Sequence, residues 1–377
     1  MKSETVEFIK RIYNAETVLL HRPVFNGHEK AYLGECIDSN FVSSVGARVT
    51  EFENQVAAFA GAKHAVATVN GTAALHIALQ MAGVEPDSEV VTQAVTFSAT
   101  CNAVTYVGAK PAFIDVDRET LGMSPDALRK FLGSHAVLKE GKAWNRRSGR
   151  RIAACLPMHT FGHPCRIDEI AVICADYGIP LVEDAAESLG SHYQGRHTGT
   201  FGLLGIFSFN GNKIITTGGG GMIVTDDPKL AARAKHITTT AKVPHPYEYV
   251  HDMIGYNYRL PNLNAALGCA QMEQLEIFIA KKRELAERYA IFFAGQGVTF
   301  VKEPARARSN YWLNAIILES LTQRDDFLEY TNRHGVMTRP IWRLMSKLEM
   351  FKDCQQDGLE NSIWLEERVV NIPSSVP

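Results

Sequence analysis

Apolar residues at the start of the chain recur at helical spacing, through Val6, Ile9, Ile12 and Tyr13, and predict an amphipathic helix. "NFVSSVGARVTEFENQVAAFAGAKH" reads as a Ser/Gly turn followed by a second helix, with Phe52, Val56 and Phe59 as its apolar stripe and Gly61 as its stop. From Ala65 the rhythm alternates. "HAVATV", "EVVTQAV", "KPAFIDV", "RIAACLPMH" and "IPLVEDA" are short β-rich runs. Between them, "NGTAALHIALQMAG", "SATCNAVTYVG", "SPDALRKFLG" and "IDEIAVICADYG" carry helical patterns. Strands separated by helices of this length predict parallel βαβ crossovers. The expected fold class is therefore α/β, a mostly parallel sheet flanked by helices.

Two stretches break this rhythm. "GIFSFNGN" and "GGGGMIVTDD" have no helix between them and read as neighbouring strands joined by a tight turn, with a lone lysine, Lys213, inside it. Beyond about residue 240, "LPNLNAALGCAQMEQLEIFIAKKRELAERYAIFFAG" predicts one long amphipathic helix. A strand in "YWLNAIIL", a helix in "TQRDDFLEYTNRHG" and a strand in "VMTRPIW" follow. That pattern suits a smaller C-terminal α+β domain and divides the chain into residues 1–245 and 246–377. The basic stretch "KEGKAWNRRSGRR" reads as an exposed loop.

Composition narrows the function. A length of 377 residues is too great for one ordinary core. A net charge of −2, from 39 basic and 41 acidic residues, leaves no electrostatic footprint for nucleic acid. The N-terminus has acidic residues and no long apolar stretch, unlike a secretory signal, and no segment has the ~18 uninterrupted apolar residues of a membrane helix. The seven cysteines are dispersed, which suits reduced thiols in a cytoplasmic protein. Their spacing lacks the pairs of a zinc site.

Ligands of open α/β sheets bind beyond the carboxyl ends of the strands, and three features fall there. Asn70, Gly71 and Thr72 join a strand to a helix N-terminus, whose free N–H groups suit a phosphate. A plain capped helix is the other reading. Glu183 and Asp184 end an apolar strand, where a carboxylate can hold a protonated nitrogen or simply meet solvent. Lys213 lies in a turn between buried strands, either as an amine nucleophile or as a surface lysine beside Gly218–Gly221. Taken together, an anion cradle, a carboxylate and an amine meet the requirements of pyridoxal 5′-phosphate (PLP). Phe97, after another strand, is placed to stack on its ring.

The motifs "VSSVGARVTEFE", "VNGTAALHIAL", "TFSATCNAV", "PAFIDVD", "LPMHTFGHP", "VEDAAESLGS", "GIFSFNGNKIITTGGGGMIVTDD" and "GYNYRLPNLNAALGCAQM" run in one order over nearly the whole chain. In these the sequence resembles the DegT/StrS-type nucleotide-sugar aminotransferases of PLP fold type I. "NGNKIITTGGGG" looks most like enzymes that aminate UDP-4-keto-6-deoxy-GlcNAc, of the bacillosamine and legionaminic acid type. The resemblance implies a homodimer with shared active sites, a nucleotide-sugar substrate and an amino-acid donor, glutamate. It implies that Lys213 forms the Schiff base and that Asp184 pairs with the pyridine nitrogen. Gly71, Thr72, Ala73 and Ser208 would form the phosphate cradle, and Phe97 would be the stacking ring. Asn257, or Arg259, in "GYNYR" would reach the neighbouring subunit's phosphate. The implied reaction is a ping-pong amino transfer in which Lys213 also moves a proton.

Glu187 departs from that pattern, since many relatives carry Gln or His near the cofactor's 3-hydroxyl, and "GGGG" replaces the commoner "GEGG". His159, Tyr311, Asn314, Arg339 and Trp342 are candidates for the sugar nucleotide. His159 reads equally as a structural histidine, and Trp342 as core. A perosamine-type or 3-amino sugar substrate is an alternative. A non-catalytic sugar-nucleotide-binding regulator is a reading of a different class. Relatives that run a dehydration carry histidine at the lysine position. A dinucleotide oxidoreductase would need a G-x-G-x-x-G after its first strand, and the chain has none.

Overall fold

A computed structural model describes residues 1–377. Three helices precede the alternating region: α1 (Lys2–Tyr13), α2 (Glu29–Asp38) and α3 (Ala47–Ala60). α1 and α3 lie where the periodicity predicts them. Gly61 closes α3 with φ 70°, a left-handed conformation that glycine adopts without strain.

The alternation then runs β1 (His64–Thr68), α4 (Gly71–Met81), β2 (Glu89–Gln93), α5 (Ser98–Tyr106), β3 (Lys110–Ile114), α6 (Pro125–His135), β4 (Ile152–Leu156), α7 (Ile167–Asp176) and β5 (Val182–Asp184). β6 (Leu204–Ser208), β7 (Gly221–Thr225) and α8 (Pro228–Thr238) complete this part. β2 pairs in parallel with β3 and β4, and β5 pairs in parallel with β6. A parallel bridge, Cys155 to Leu181, joins the two groups. β7 pairs antiparallel with both β6 and β1. The continuous order is β3-β2-β4-β5-β6-β7-β1, with β7 alone reversed. Every residue of β2 and of β4 is buried, as expected for strands covered by helices on both faces.

β7 is reversed because no helix carries the chain across the sheet. The link is longer than the expected tight turn. Residues 209–220 fold back on themselves, with the Phe209 N–H bonded to the Gly220 carbonyl at 2.9 Å and the Thr217 N–H to the Phe209 carbonyl at 3.0 Å. Phe209 and Ile215 bury themselves beneath it. Gly221 is required here, since a Cβ would stand 2.4 Å from the Asn70 carbonyl oxygen.

The expected long helix is two, α9 (Asn262–Met272) and α10 (Leu275–Phe293). The break comes where the Glu273 carboxylate is held by Tyr32 Oη at 2.6 Å and His28 Nδ1 at 2.7 Å. α9 packs on α2 and α3, and α10 turns away into a second core. There an antiparallel sheet runs β8 (Thr299–Phe300), β9 (Asn314–Ile317), β11 (Val369–Ile372) and β10 (Arg339–Pro340), accompanied by α11 (Leu321–Arg333) and α12 (Glu360–Glu366). Val6 and Ile9 of α1 share this core with Leu285, Tyr289 and Phe327. The stretch read as an exposed loop instead contributes to a β-hairpin, Ala136–Lys139 against Lys142–Asn145. Its anchors, Ala143 and Asn145, are buried. No helix is long and apolar enough to cross a membrane.

Candidate active site

The carboxyl ends of β1, β5 and β6 converge on a cavity of about 330 Å³ lined by Gly71, Thr72, Phe97, Asp184, Ser208 and Lys213, among others. One end of it is the start of α4. The first N–H groups of a helix have no partner within it. Asn70 Oδ1 accepts one of them, from Ala73, at 2.8 Å. Ala73 is buried with its N–H taken, so it does not open onto the cavity as expected. Gly71 and Thr72 do. Gly71 lies against Ser208, where a Cβ would come within 2.9 Å of the serine Cβ. A small anion thus meets free amide groups, a helix dipole and two hydroxyls.

The acids of β5 point to opposite sides, as strand geometry requires. Glu183 is fully buried and accepts hydrogen bonds from the Gly199 and Gly202 N–H groups, both at 2.7 Å. It also faces His159 Nε2 at 3.0 Å. Asp184 turns to the cavity. Its Oδ2 accepts from Thr100 Oγ1 at 2.7 Å and its Oδ1 from the Ala186 N–H at 3.2 Å. Burial raises its pKa, opposed by these bonds and by the charge of Lys213. Neither hydrogen-bond donor to Asp184 is a cation, so a buried carboxylate is left facing the cavity. A protonated ring nitrogen there would satisfy it. In charge and donor set the residues fit PLP.

Lys213 Nζ lies 3.1 Å from Glu187 Oε1 and 4.0 Å from the centroid of the Trp312 ring. Glu187 Oε2 accepts from the Phe161 N–H at 3.0 Å. Burial pushes the Glu187 pKa up to about 7 against the pull of Lys213. Trp312 Nε1–H donates to the Asn212 carbonyl at 2.7 Å and so pins the residue before the lysine. Trp342 and Phe97 wall the cavity, 6.5 Å apart between ring centroids.

Sequence reasoning passed over Thr100 and Trp312. Thr100 lies in "TFSATCNAV", in the first turn after Phe97, where a hydroxyl facing a strand end was the available signal. Trp312 comes from the segment before β9, packs into the main core with Phe207 and Phe209, and had no local signal. The C-terminal candidates divide. Trp342 lines the cavity; Tyr311, Asn314 and Arg339 do not. Tyr311 Oη accepts from the Glu303 N–H at 3.0 Å. Asn314 is bonded to Ser374 Oγ through its N–H at 2.8 Å. Arg339 donates to Asn332 Oδ1 at 3.0 Å on the edge of its sheet. His159 is also outside, enclosed between Glu183 and the Cys165 N–H, which donates to its Nδ1 at 3.3 Å. Asn257 is exposed and accepts from Arg259 at 3.2 Å, away from this chain's cavity. A larger open hollow of about 880 Å³, between α3, α10 and Arg306–Arg308, contains none of these cavity residues.

This sheet, with a lysine, a buried carboxylate and a helix N-terminus around one cavity, is the architecture of a fold type I PLP aminotransferase. The chain belongs to the DegT/DnrJ/EryC1/StrS aminotransferase family, whose profile matches residues 24–377. It is 38% identical over 335 residues to EpsN of Bacillus subtilis (strain 168), which carries the name of a pyridoxal phosphate-dependent aminotransferase, covering 89% of this chain and 84% of that one. It is 36% identical over 357 residues to GDP-perosamine synthase of Escherichia coli O157:H7, covering 94% and 92%. Its fold superposes on the aminotransferase TlmJ from Streptoalloteichus hindustanus with a TM-score of 0.86 at 27% identity, covering 95% and 93%. Dependence on PLP and sugar aminotransferase activity follow from this membership.

Proposed function

We propose that the protein transfers an amino group from glutamate to a nucleotide-linked 4-keto-6-deoxy sugar of the UDP-4-keto-6-deoxy-GlcNAc type, giving a 4-amino sugar for surface glycans. The observation that carries the reading is the Lys213 amine, 3.1 Å from Glu187, in the cavity that Asp184 also lines. PLP, when bound, supplies the electron sink that lets a proton leave a carbon next to nitrogen. Lys213 would anchor it covalently and move that proton. Asp184 would keep the ring nitrogen protonated. Gly71, Thr72 and Ser208 would hold the phosphate. Phe97 would lie against the group, and with Trp342 it would exclude water. Glu187 takes up or returns a proton at Lys213 Nζ, a role its raised pKa suits.

We further propose a homodimer in which Asn257 of the exposed "GYNYR" segment reaches the neighbouring site. Seven unpaired cysteines support a cytoplasmic setting. A GDP-perosamine-type substrate is the second reading, favoured by the similarity to GDP-perosamine synthase. Incubation with glutamate and UDP-, GDP- or dTDP-linked 4-keto sugars, read by product mass, tests both. An amine product from the UDP-linked sugar alone supports the first. Product from the GDP-linked sugar alone replaces it with the second. No product, and no loss of visible colour with glutamate, points to the regulator.

A further inference from the structure

Lys282, on α10, is the only lysine or arginine among the buried residues, with 0% exposure. Its ammonium has three N–H donors and no acceptor. Those donors meet the Trp312 carbonyl at 3.1 Å, His21 Nε2 at 3.0 Å and the Ser374 carbonyl. None of the three is a carboxylate, so no counter-ion faces the amine, and burial pushes its pKa down to about 7. Packing alone does not call for an ammonium here, because an apolar residue of similar volume commonly serves a buried site as well or better.

What the amine does is hold the backbone of Trp312. The Trp312 indole pins Asn212 and lies under Lys213 Nζ. The Trp312 N–H donates to Asn310 Oδ1 at 2.8 Å, and Asn310 Nδ2 donates to the Glu187 carbonyl at 2.9 Å. Both members of the Lys213–Glu187 pair are therefore tied to one residue, and Lys282 fixes that residue from behind. We propose that Lys282 is a positioning residue for the amino transfer, acting through Trp312 to hold the Lys213 amine against Glu187. Misplacement of a reacting group by about 1 Å costs on the order of a hundredfold in rate.

The inference rests on the function proposed above, and the wild-type holoenzyme tests that function separately. It must show a visible band that responds to glutamate; without one, the function itself fails. Lys282→Met removes the donors and keeps the length of the side chain. We expect it to melt close to the wild type. Its single-turnover rate with glutamate should fall by roughly tenfold or more, the half-saturating concentration should change by less than about threefold, and the pH midpoint of the visible band should move. Lys282→Arg, which keeps donors, should recover part of the rate. In a Trp312→Phe background the loss from Lys282→Met should shrink, because the two act in series. Wild-type rate and band midpoint in Lys282→Met, or additive losses in the double variant, would overturn the proposal. If Lys282→Met does not fold, His21→Leu removes one acceptor of the amine outside the cavity. A smaller shift in the same direction supports the proposal, and unchanged values overturn it.

Discussion

Lys213 and Glu187 form an ion pair at 3.1 Å whose side chains are 12% and 1% exposed. Water screens such a pair little, so its protonation is coupled to folding as well as to catalysis. The Glu187 pKa is pushed from 4.5 up to about 7. Between those values Glu187 binds more proton in the folded than in the unfolded state, so its contribution to stability is full below about pH 4.5 and is lost as the pH rises through about 7. The cofactor-free Glu187→Gln variant should lack this decline, which amounts to at most about 3 kcal/mol. Thermal melts of both proteins from pH 5 to pH 8 check it, and parallel curves would count against the assignment.

Replacing Lys213 by alanine should remove covalent cofactor attachment and lower turnover by at least about a thousandfold. Borohydride treatment followed by peptide mass analysis should tag position 213 in the wild type and leave the variant untagged. A tag on another lysine would contradict the assigned role.

Thr100→Val keeps shape and removes the hydroxyl that donates to Asp184 at 2.7 Å. Losing a hydrogen bond to a buried carboxylate costs about 1–3 kcal/mol. The Asp184 pKa should rise further, and the dissociation constant for PLP should increase roughly tenfold or more. Equilibrium dialysis measures this, and unchanged affinity would show that Asp184 does not depend on Thr100.

Gly71→Ala places a methyl group 2.9 Å from the Ser208 Cβ, which cannot rotate away, and 3.1 Å from its Oγ. The cradle must widen or the helix start must shift. PLP affinity should fall, whereas affinity for the phosphate-free aldehyde pyridoxal should change little. Equal losses for both would place the damage outside the anion end.

The parallel core of the sheet and the strand-end site residues were readable because each depends on local pattern. Short apolar runs, capped helix starts and turn residues lie together in the chain, and parallel topology then brings Thr72, Asp184, Ser208 and Lys213 to one rim. What escaped depends on distant partners. The helix break at Glu273 reflects Tyr32 and His28, more than 240 residues away. Trp312 reaches the cavity from the C-terminal part of the chain, about 100 residues beyond the lysine whose neighbour it pins. Tyr311, Asn314 and Arg339 have polar groups suited to a sugar nucleotide, but Tyr311 Oη, Asn314 Nδ2 and the Arg339 guanidinium bond within the C-terminal sheet or its loops. The connection before β7 is longer than the tight turn its glycines suggest, because it folds back to bury Phe209 and Ile215.

β11 is an inner strand, bordered by β9 on one side and β10 on the other. During synthesis the parallel sheet can close as soon as β7 emerges, but the second sheet stays split until residues 369–372 leave the ribosome. Trp312, Trp342 and the anchor at Ser374 all wait on that event. A chain arrested just short of β11 would carry the acid on paired strands and the lysine in the link that follows them, with Asn212 unpinned and one wall of the pocket still unbuilt.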